Sequence, residues 1–334
     1  MTFARRNTNH KSFAYLEGNR PDLLNSWFKR TLEKPMNYKR GEEVAFKERI
    51  PLKIGANADP FPPIEATEKI TYEVLQALHQ LDYPVQMSTK NPAVLLGYIG
   101  RFHKPNWSVN VTLTTIDSTF SEIIEPNAPM PSERLDVIRE LSHHVPVFVR
   151  VQPVIYPKVM EEAEMLVAML ASTHAWGFET EGLKIRTTLS DEEKELYDTI
   201  SNYVGVNILD MYKKQKVVGG CYVMDDTIKM KYIELFTELA KQYGLKYYVA
   251  DDWMGKLGEG CECCGTQVLR NYKIWGNNFR TRYWGTQPNE STELGKANIN
   301  FTRKSERNGT KGKTLDEEMK ERYEKARSIF DESC

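Results

Sequence analysis

Ile50-Pro51-Leu52-Lys53-Ile54-Gly55-Ala56-Asn57-Ala58-Asp59-Pro60-Phe61-Pro62-Pro63-Ile64-Glu65 is the stretch on which the fold turns. The apolar run that it opens with reads as a strand over 50–56. Small residues and Pro60, Pro62 and Pro63 then stop that strand. Beyond them Ile70, Val74, Leu75 and Leu78 recur at helical spacing and predict a helix over 65–81. In barrel and open α/β folds, the loop leaving the C-terminal end of a strand is where ligands are held. Asn57 and Asp59 therefore become the first candidate binding residues.

The same alternation continues outward. Strands are expected over 84–88, 107–114, 145–152, 183–187 and 245–250, and helices over 91–102, 131–143, 158–172, onward from Ser190, and over 226–243. Pro92 suits a first helical turn, Ser190-Asp191-Glu192-Glu193 reads as a capping box, and Gly244 is placed to end its helix. Within 107–114, Val109, Val111 and Leu113 fall on one face and Asn110, Thr112 and Thr114 on the other. Five or six βα units in register imply an α/β fold, with a parallel sheet curled by right-handed crossovers into a partial or full barrel. Periodicity alone leaves a closed eight-stranded barrel open. No solenoid repeat, Walker motif or GxGxxG fingerprint interrupts this pattern.

Composition narrows the classes. A formal net charge of −1 over 334 residues gives no global basic field, so any contact with nucleic acid has to be local. No apolar run approaches the roughly 20 residues that cross a bilayer, so no membrane partner is expected. Met1-Thr2-Phe3-Ala4-Arg5-Arg6-Asn7 has no apolar signal core, and a cytoplasmic location is expected. On that expectation, Asn300-Phe301-Thr302 carries no glycosylation meaning. Five cysteines, three of them within Cys261-Glu262-Cys263-Cys264, do not form a disulfide framework and point toward metal or redox chemistry.

The strongest set of candidates is the polar residues at strand ends: Asn57 and Asp59; Ser88, Thr89 and Lys90; Thr112, Thr114, Thr115 and Asp117; Glu125; Arg150 and Gln152; Arg186 and Thr187. On a barrel these would converge on one mouth. Hydroxyls, cations and carboxylates together suit a zwitterionic ligand that carries a ribose. The plain alternative is that they are ordinary hydrogen-bonding residues at strand ends.

Here a resemblance becomes specific. Val109-Asn110-Val111-Thr112-Leu113-Thr114-Thr115-Ile116-Asp117, with Ile124-Glu125-Pro126-Asn127-Ala128-Pro129 and Pro131-Ser132-Glu133-Arg134-Leu135, resembles the fourth strand and following loop of the spore photoproduct lyase-like (DNA repair photolyase-like) branch of the radical S-adenosylmethionine (radical SAM) superfamily. Gln86-Met87-Ser88-Thr89-Lys90 is similar to the third strand of that family, and Val149-Arg150-Val151-Gln152-Pro153-Val154 to the fifth. The opening Asn-Ala-Asp-Pro-Phe-Pro-Pro segment is similar to the loop after the second. The match covers about residues 3–186. It implies a partial (βα)6 TIM-like barrel, placed over 1–252. Composition and caps in the sequence itself add a Cys-containing extension over 253–289 and, over 290–334, a polar tail expected to be mobile, with a terminal helix over 315–330 capped by Thr314. The resemblance also implies that S-adenosylmethionine is bound, with Lys90 a candidate for its carboxylate, Thr112 and Thr114 for its ribose and amino-acid portions, Arg150 and Gln152 deeper in the cleft, and Asn57, Asp59 and Thr89 nearby.

The family holds a [4Fe–4S] cluster on a C-x3-C-x2-C motif, and in this sequence no cysteine precedes Cys221. Phe3-Ala4-Arg5 resembles the segment that follows the last cluster cysteine, which puts Thr2 at the third cysteine position. Three explanations stay open: an interrupted gene or misplaced start, a separate cluster-bearing segment or subunit, and a non-catalytic derivative of the fold. The expected activity is reductive cleavage of S-adenosylmethionine once the motif is supplied, with a nucleic-acid substrate suggested by analogy alone. The alternative is a binding or partner subunit.

Two further features stand apart. Cys261, Cys263 and Cys264 are close enough to favour zinc or an iron–sulfur centre over a disulfide, with redox thiols and buried cysteines as alternatives. Arg270 to Trp284 interleaves basic and aromatic residues, as nucleic-acid surfaces do, but reads more simply as a hairpin turning at Gly276-Asn277-Asn278. His143-His144 closes a helix and is no metal signature.

Overall fold

The computed structural model describes residues 21–35, 43, 46–47, 49–55, 58–251, 254, 257–259 and 265–272. Six parallel strands form the central sheet: β1 (Leu52–Ile54), β2 (Val85–Thr89), β3 (Trp107–Thr112), β4 (Val147–Val154), β5 (Gly177–Gly182) and β9 (Lys246–Val249). Their spatial order is their chain order, with β9 beside β5. Helices Ile70–Gln80, Pro92–Ile99, Pro131–Leu141, Lys158–Ala171 and Asp226–Tyr243 make the crossovers.

Strand alternation decides where the core lies. Val85, Met87, Val109, Val111, Val147, Val149, Val151, Phe178 and Tyr247 join helix residues such as Leu75, Leu95, Ile138, Leu166 and Phe236 in one apolar cluster. The intervening positions face the other way and are also buried, yet most are polar: Gln86, Ser88, Ser108, Asn110, Thr112, Arg150 and Glu179. Phe148 and Tyr248, which pair in register with Asn110 and Glu179, are buried outside that cluster. We call this second surface the inner face.

Between β5 and the helix Asp226–Tyr243 the chain makes an excursion. It holds helices Asp191–Val204 and Ile208–Lys213 and a small antiparallel sheet of β6 (Lys184–Arg186), β7 (Val217–Val218) and β8 (Cys221–Val223). The Ser190 capping box forms, with the Ser190 amide donating to Glu193 at 2.8 Å. Gly244 ends the helix before β9 in the left-handed conformation, φ 70°.

Three expectations are corrected. The fifth parallel strand is Gly177–Gly182, whereas residues 184–186 of the expected strand belong to the antiparallel sheet. Close approach explains the glycine: a Cβ on Gly177 would lie 2.6 Å from the Lys246 carbonyl oxygen. The expected helix over 65–81 is two, Glu65–Glu68 and Ile70–Gln80, parted by Lys69 at φ 56°. Thr266–Val268 is a 3-10 turn and not strand; the rest of the expected hairpin, from 273 onward, lies outside the described residues, as does the terminal helix over 315–330. An unanticipated helix, Pro21–Glu33, packs Phe28 against Phe46, which in turn stacks on Tyr83 before β2.

Candidate functional site

Parallel strands present their C-terminal ends together, and two charged groups assemble there. The first forms where β2 and β3 end. Glu125, at the close of the short helix Ser118–Ile124, is 1 % exposed and pairs with Lys90 Nζ at 2.8 Å and Arg134 Nη1 at 2.6 Å. Thr114 Oγ1 donates to Glu125 Oε1 (2.9 Å) and also lies 2.8 Å from the Gln152 carbonyl oxygen. Arg134 is anchored by the carbonyls of Pro129 and Thr112, at 2.7 and 2.9 Å. Burial pushes the Glu125 carboxyl up, but Lys90 and Arg134 outweigh it and hold the group below its ordinary value. Two cations share one carboxylate here, so this corner carries an excess of positive charge.

The second group lies on the inner face of β4 and β5. Arg150 and Glu179 are register partners, and Arg150 Nε stands 2.6 Å from Glu179 Oε1, with Glu179 fully buried. Arg150 Nη2 donates to Gln152 Oε1 at 2.5 Å. The Gln152 Nε2 atom is buried without a hydrogen-bond partner among the described residues. Thr112 sits beside Arg150 in register, joining the two groups.

Asp59 and Thr89 do different work. Asp59 Oδ1 accepts from the Thr89 hydroxyl (2.7 Å) and the Phe61 amide (3.0 Å), and Oδ2 from the Lys90 amide (2.6 Å). The loop after β1 is thereby tied to the end of β2, which fixes the backbone that carries Lys90. Asn57, also expected here, lies outside the described residues, as do Cys261, Cys263 and Cys264. Among the described residues no group of His, Cys, Asp and Glu is arranged to hold a metal ion.

A third cluster flanks the end of β3. Asp117 caps the helix Ser118–Ile124, pairs with Lys158 at 2.8 Å and accepts from the Tyr203 hydroxyl at 2.7 Å. Burial opposes its ionisation, but Lys158, the Phe120 amide and Tyr203 prevail and bring its pKa to about 2. Neighbouring Glu162 accepts from Thr115 at 2.8 Å, yet burial dominates and raises its carboxyl.

Sequence reasoning singled out Lys90, Thr112, Thr114, Arg150 and Gln152, and these five come together. It left out Glu179, because Gly177-Phe178-Glu179-Thr180-Glu181-Gly182 has no apolar run. The usable signal was the alternation of Phe178 and Thr180 with Glu179 and Glu181.

No family model matches this chain, and no curated protein matches it. The chemistry of the site therefore rests on these residues. Its positive corner suits a carboxylate or another anion, and the Arg150–Gln152–Glu179 group suits a neutral partner that both donates and accepts hydrogen bonds.

Proposed function

We propose that this chain is a photolyase-like radical SAM protein whose six-stranded sheet is that of a partial (βα)6 barrel, and that it binds S-adenosylmethionine at the C-terminal strand ends. The reading is supported by one observation above all: Lys90, Thr114, Glu125 and Arg134, gathered where β2 and β3 end, adjoin Arg150, Gln152 and Glu179 on the inner face of β4 and β5. The monotonic strand order and a second face that is buried yet largely polar agree with the barrel.

In this reading the ligand carboxylate goes to the positive corner, where Glu125 keeps Lys90 and Arg134 in place. Arg150 and Gln152 meet the neutral part of the ligand, with the Arg150 charge balanced by Glu179. Thr112 offers its hydroxyl between them, while Asp59 and Thr89 position the Lys90 backbone. S-Adenosylmethionine, when bound and reduced, supplies carbon-radical chemistry; a nucleic-acid base as its target is an analogy with the family.

The [4Fe–4S] cluster does not fit the residues of this sequence. It needs three suitably spaced thiolates, and the cysteines stand at 221, 261, 263, 264 and 334. A cluster-bearing segment or subunit would have to supply the missing motif. The same fact favours a second reading, a non-catalytic binding or partner subunit. The zinc or iron–sulfur site at Cys261, Cys263 and Cys264 rests on their spacing alone.

Calorimetric titration with S-adenosylmethionine tests the binding site. Saturable binding is expected, weakened at least about tenfold, or about 1.4 kcal/mol, in Lys90→Ala and in Arg150→Ala. No binding to the folded chain at millimolar ligand would overturn the reading. Under anaerobic reducing conditions this chain alone is expected to yield no 5′-deoxyadenosine, and its production would refute the requirement for an added motif. Equal zinc, iron and sulfide content in wild type and Cys263→Ala would remove the second metal site.

A further inference from the structure

The inner face of β3 continues below the candidate site, toward the N-terminal end of the sheet, as Asn110, Ser108 and Asn106 at alternate positions. Residues 265–270 cross this stretch. At one end Gly265 lies against Phe148, the register neighbour of Asn110, so closely that a Cβ on it would be 2.5 Å from the ring. At the other end the Arg270 amide donates to Asn106 Oδ1 at 2.7 Å, and Asn106 Nδ2 donates to the Arg270 carbonyl at 2.9 Å. Gln267 stands between the two anchors.

Within this span, five side-chain atoms are buried without a hydrogen-bond partner among the described residues. They are Ser108 Oγ, both polar atoms of the Asn110 carboxamide and both of the Gln267 carboxamide. Ser108 and Asn110 are themselves fully buried. Each such atom left unsatisfied costs about 1–3 kcal/mol, so five on one small patch is more than a marginally stable domain tolerates. The two carboxamides do not bond to each other, since every one of their polar atoms is an orphan. No charged side chain is among the five.

We propose that the space between the inner face of β3 and the segment 265–270 is a binding site for ordered water, which joins that segment to the sheet. The occupant must be small, because Ser108 and Asn110 are sealed from solvent. It must be neutral and must both donate and accept, because the orphan set holds two amide donors, two amide acceptors and a hydroxyl. Buried waters make about three hydrogen bonds each, so a chain of about three waters, each bonded to the next, leaves enough bonds for the whole set. The site is separate from the proposed cofactor site and does not depend on it.

A crystal structure of the full chain that shows ordered solvent is the direct test. Waters bridging Ser108 or Asn110 to Gln267 are expected, and direct bonds among these side chains with no water between them would overturn the proposal. Oxygen-17 relaxation dispersion of the water signal reads the same site in solution. Wild type is expected to show long-lived internal water, reduced in Asn110→Leu, and an unchanged signal in that folded variant refutes the assignment. Should Asn110→Leu not fold, Ser108→Ala serves in its place with the same readout. Chemical denaturation adds a coupling test. Gln267→Leu and Asn110→Leu should each lower the folding equilibrium constant about tenfold, and the double variant by clearly less than the product, since it removes both ends of the bridge. Strict additivity would contradict a shared guest.

Discussion

On the helix-covered face of the sheet, Val85, Met87, Val109, Val111, Val149 and Phe178 join one apolar cluster. At the alternate positions of the same strands, Gln86, Ser88, Ser108, Asn110, Arg150 and Glu179 face the other way and are no more exposed than about a tenth. Burial is shared, and chemistry is not. Apolar burial stabilises at roughly 25 cal/mol per Å², whereas a buried polar group at best breaks even once its hydrogen bonds are made. A chain that keeps one face of its sheet polar gives up stability there, which is the pattern expected of a surface kept for binding.

Substitutions sharpen that contrast, taken from the largest effect downward. Glu125→Ala strips the counter-charge from Arg134 and Lys90 and is expected to cost about 3–5 kcal/mol in urea unfolding. A cost under about 1 kcal/mol would mean that the charged corner relaxes freely. On the helix side, Leu166→Ala empties a fully buried position and should cost about 3 kcal/mol. Gly177→Ala drives a methyl into the Lys246 carbonyl, and a loss of about 2 kcal/mol is expected in the same assay.

A smaller effect concerns pH. Burial raises the Glu162 carboxyl above its ordinary value of 4.5, so its contribution is fully present below 4.5 and is lost as pH rises through the folded value. Glu162→Gln should therefore gain on wild type between pH 4 and pH 7, by about 1 kcal/mol or less; a variant that loses ground to wild type over that range contradicts the assignment. Glu125 runs the opposite way. Its lowered carboxyl contributes above 4.5 and loses that contribution as acid is added, so the folded chain should weaken below pH 4.5. Least of all, Arg139→Ala breaks the exposed pair with Asp136 and should stay within about 0.5 kcal/mol.

Legibility in the sequence followed the same division. Elements with one apolar face, such as Asp226–Tyr243 and Lys158–Ala171, could be read almost to their ends because the helical period runs unbroken through both and Gly244 marks where the first stops. β3 could be read on both faces because valines and polar residues alternate. β5 could not: two glycines, two glutamates and a threonine leave Phe178 as its only large apolar side chain, while Leu183-Lys184-Ile185-Arg186 nearby looked the better strand. What makes Gly177–Gly182 a strand is the neighbours it lies between, and no local propensity reports that. Missing the strand meant missing Glu179 and, with it, the partner that balances Arg150. The polar strand-end candidates were identifiable by position, but which of them hold each other, as Asp59 holds Thr89 and Lys90, is a property of the fold alone.

The two anchors of the segment 265–270 also bear on how the molecule is made. Asn106 must wait for Arg270, which leaves the ribosome 164 residues later. Until then the inner face of β3 lacks the cover that residues 265–270 give it. An apolar surface left bare for that long would invite association with other chains. Ser108 and Asn110 can instead stay hydrated, and the last described stretch closes over a surface that water has kept apart.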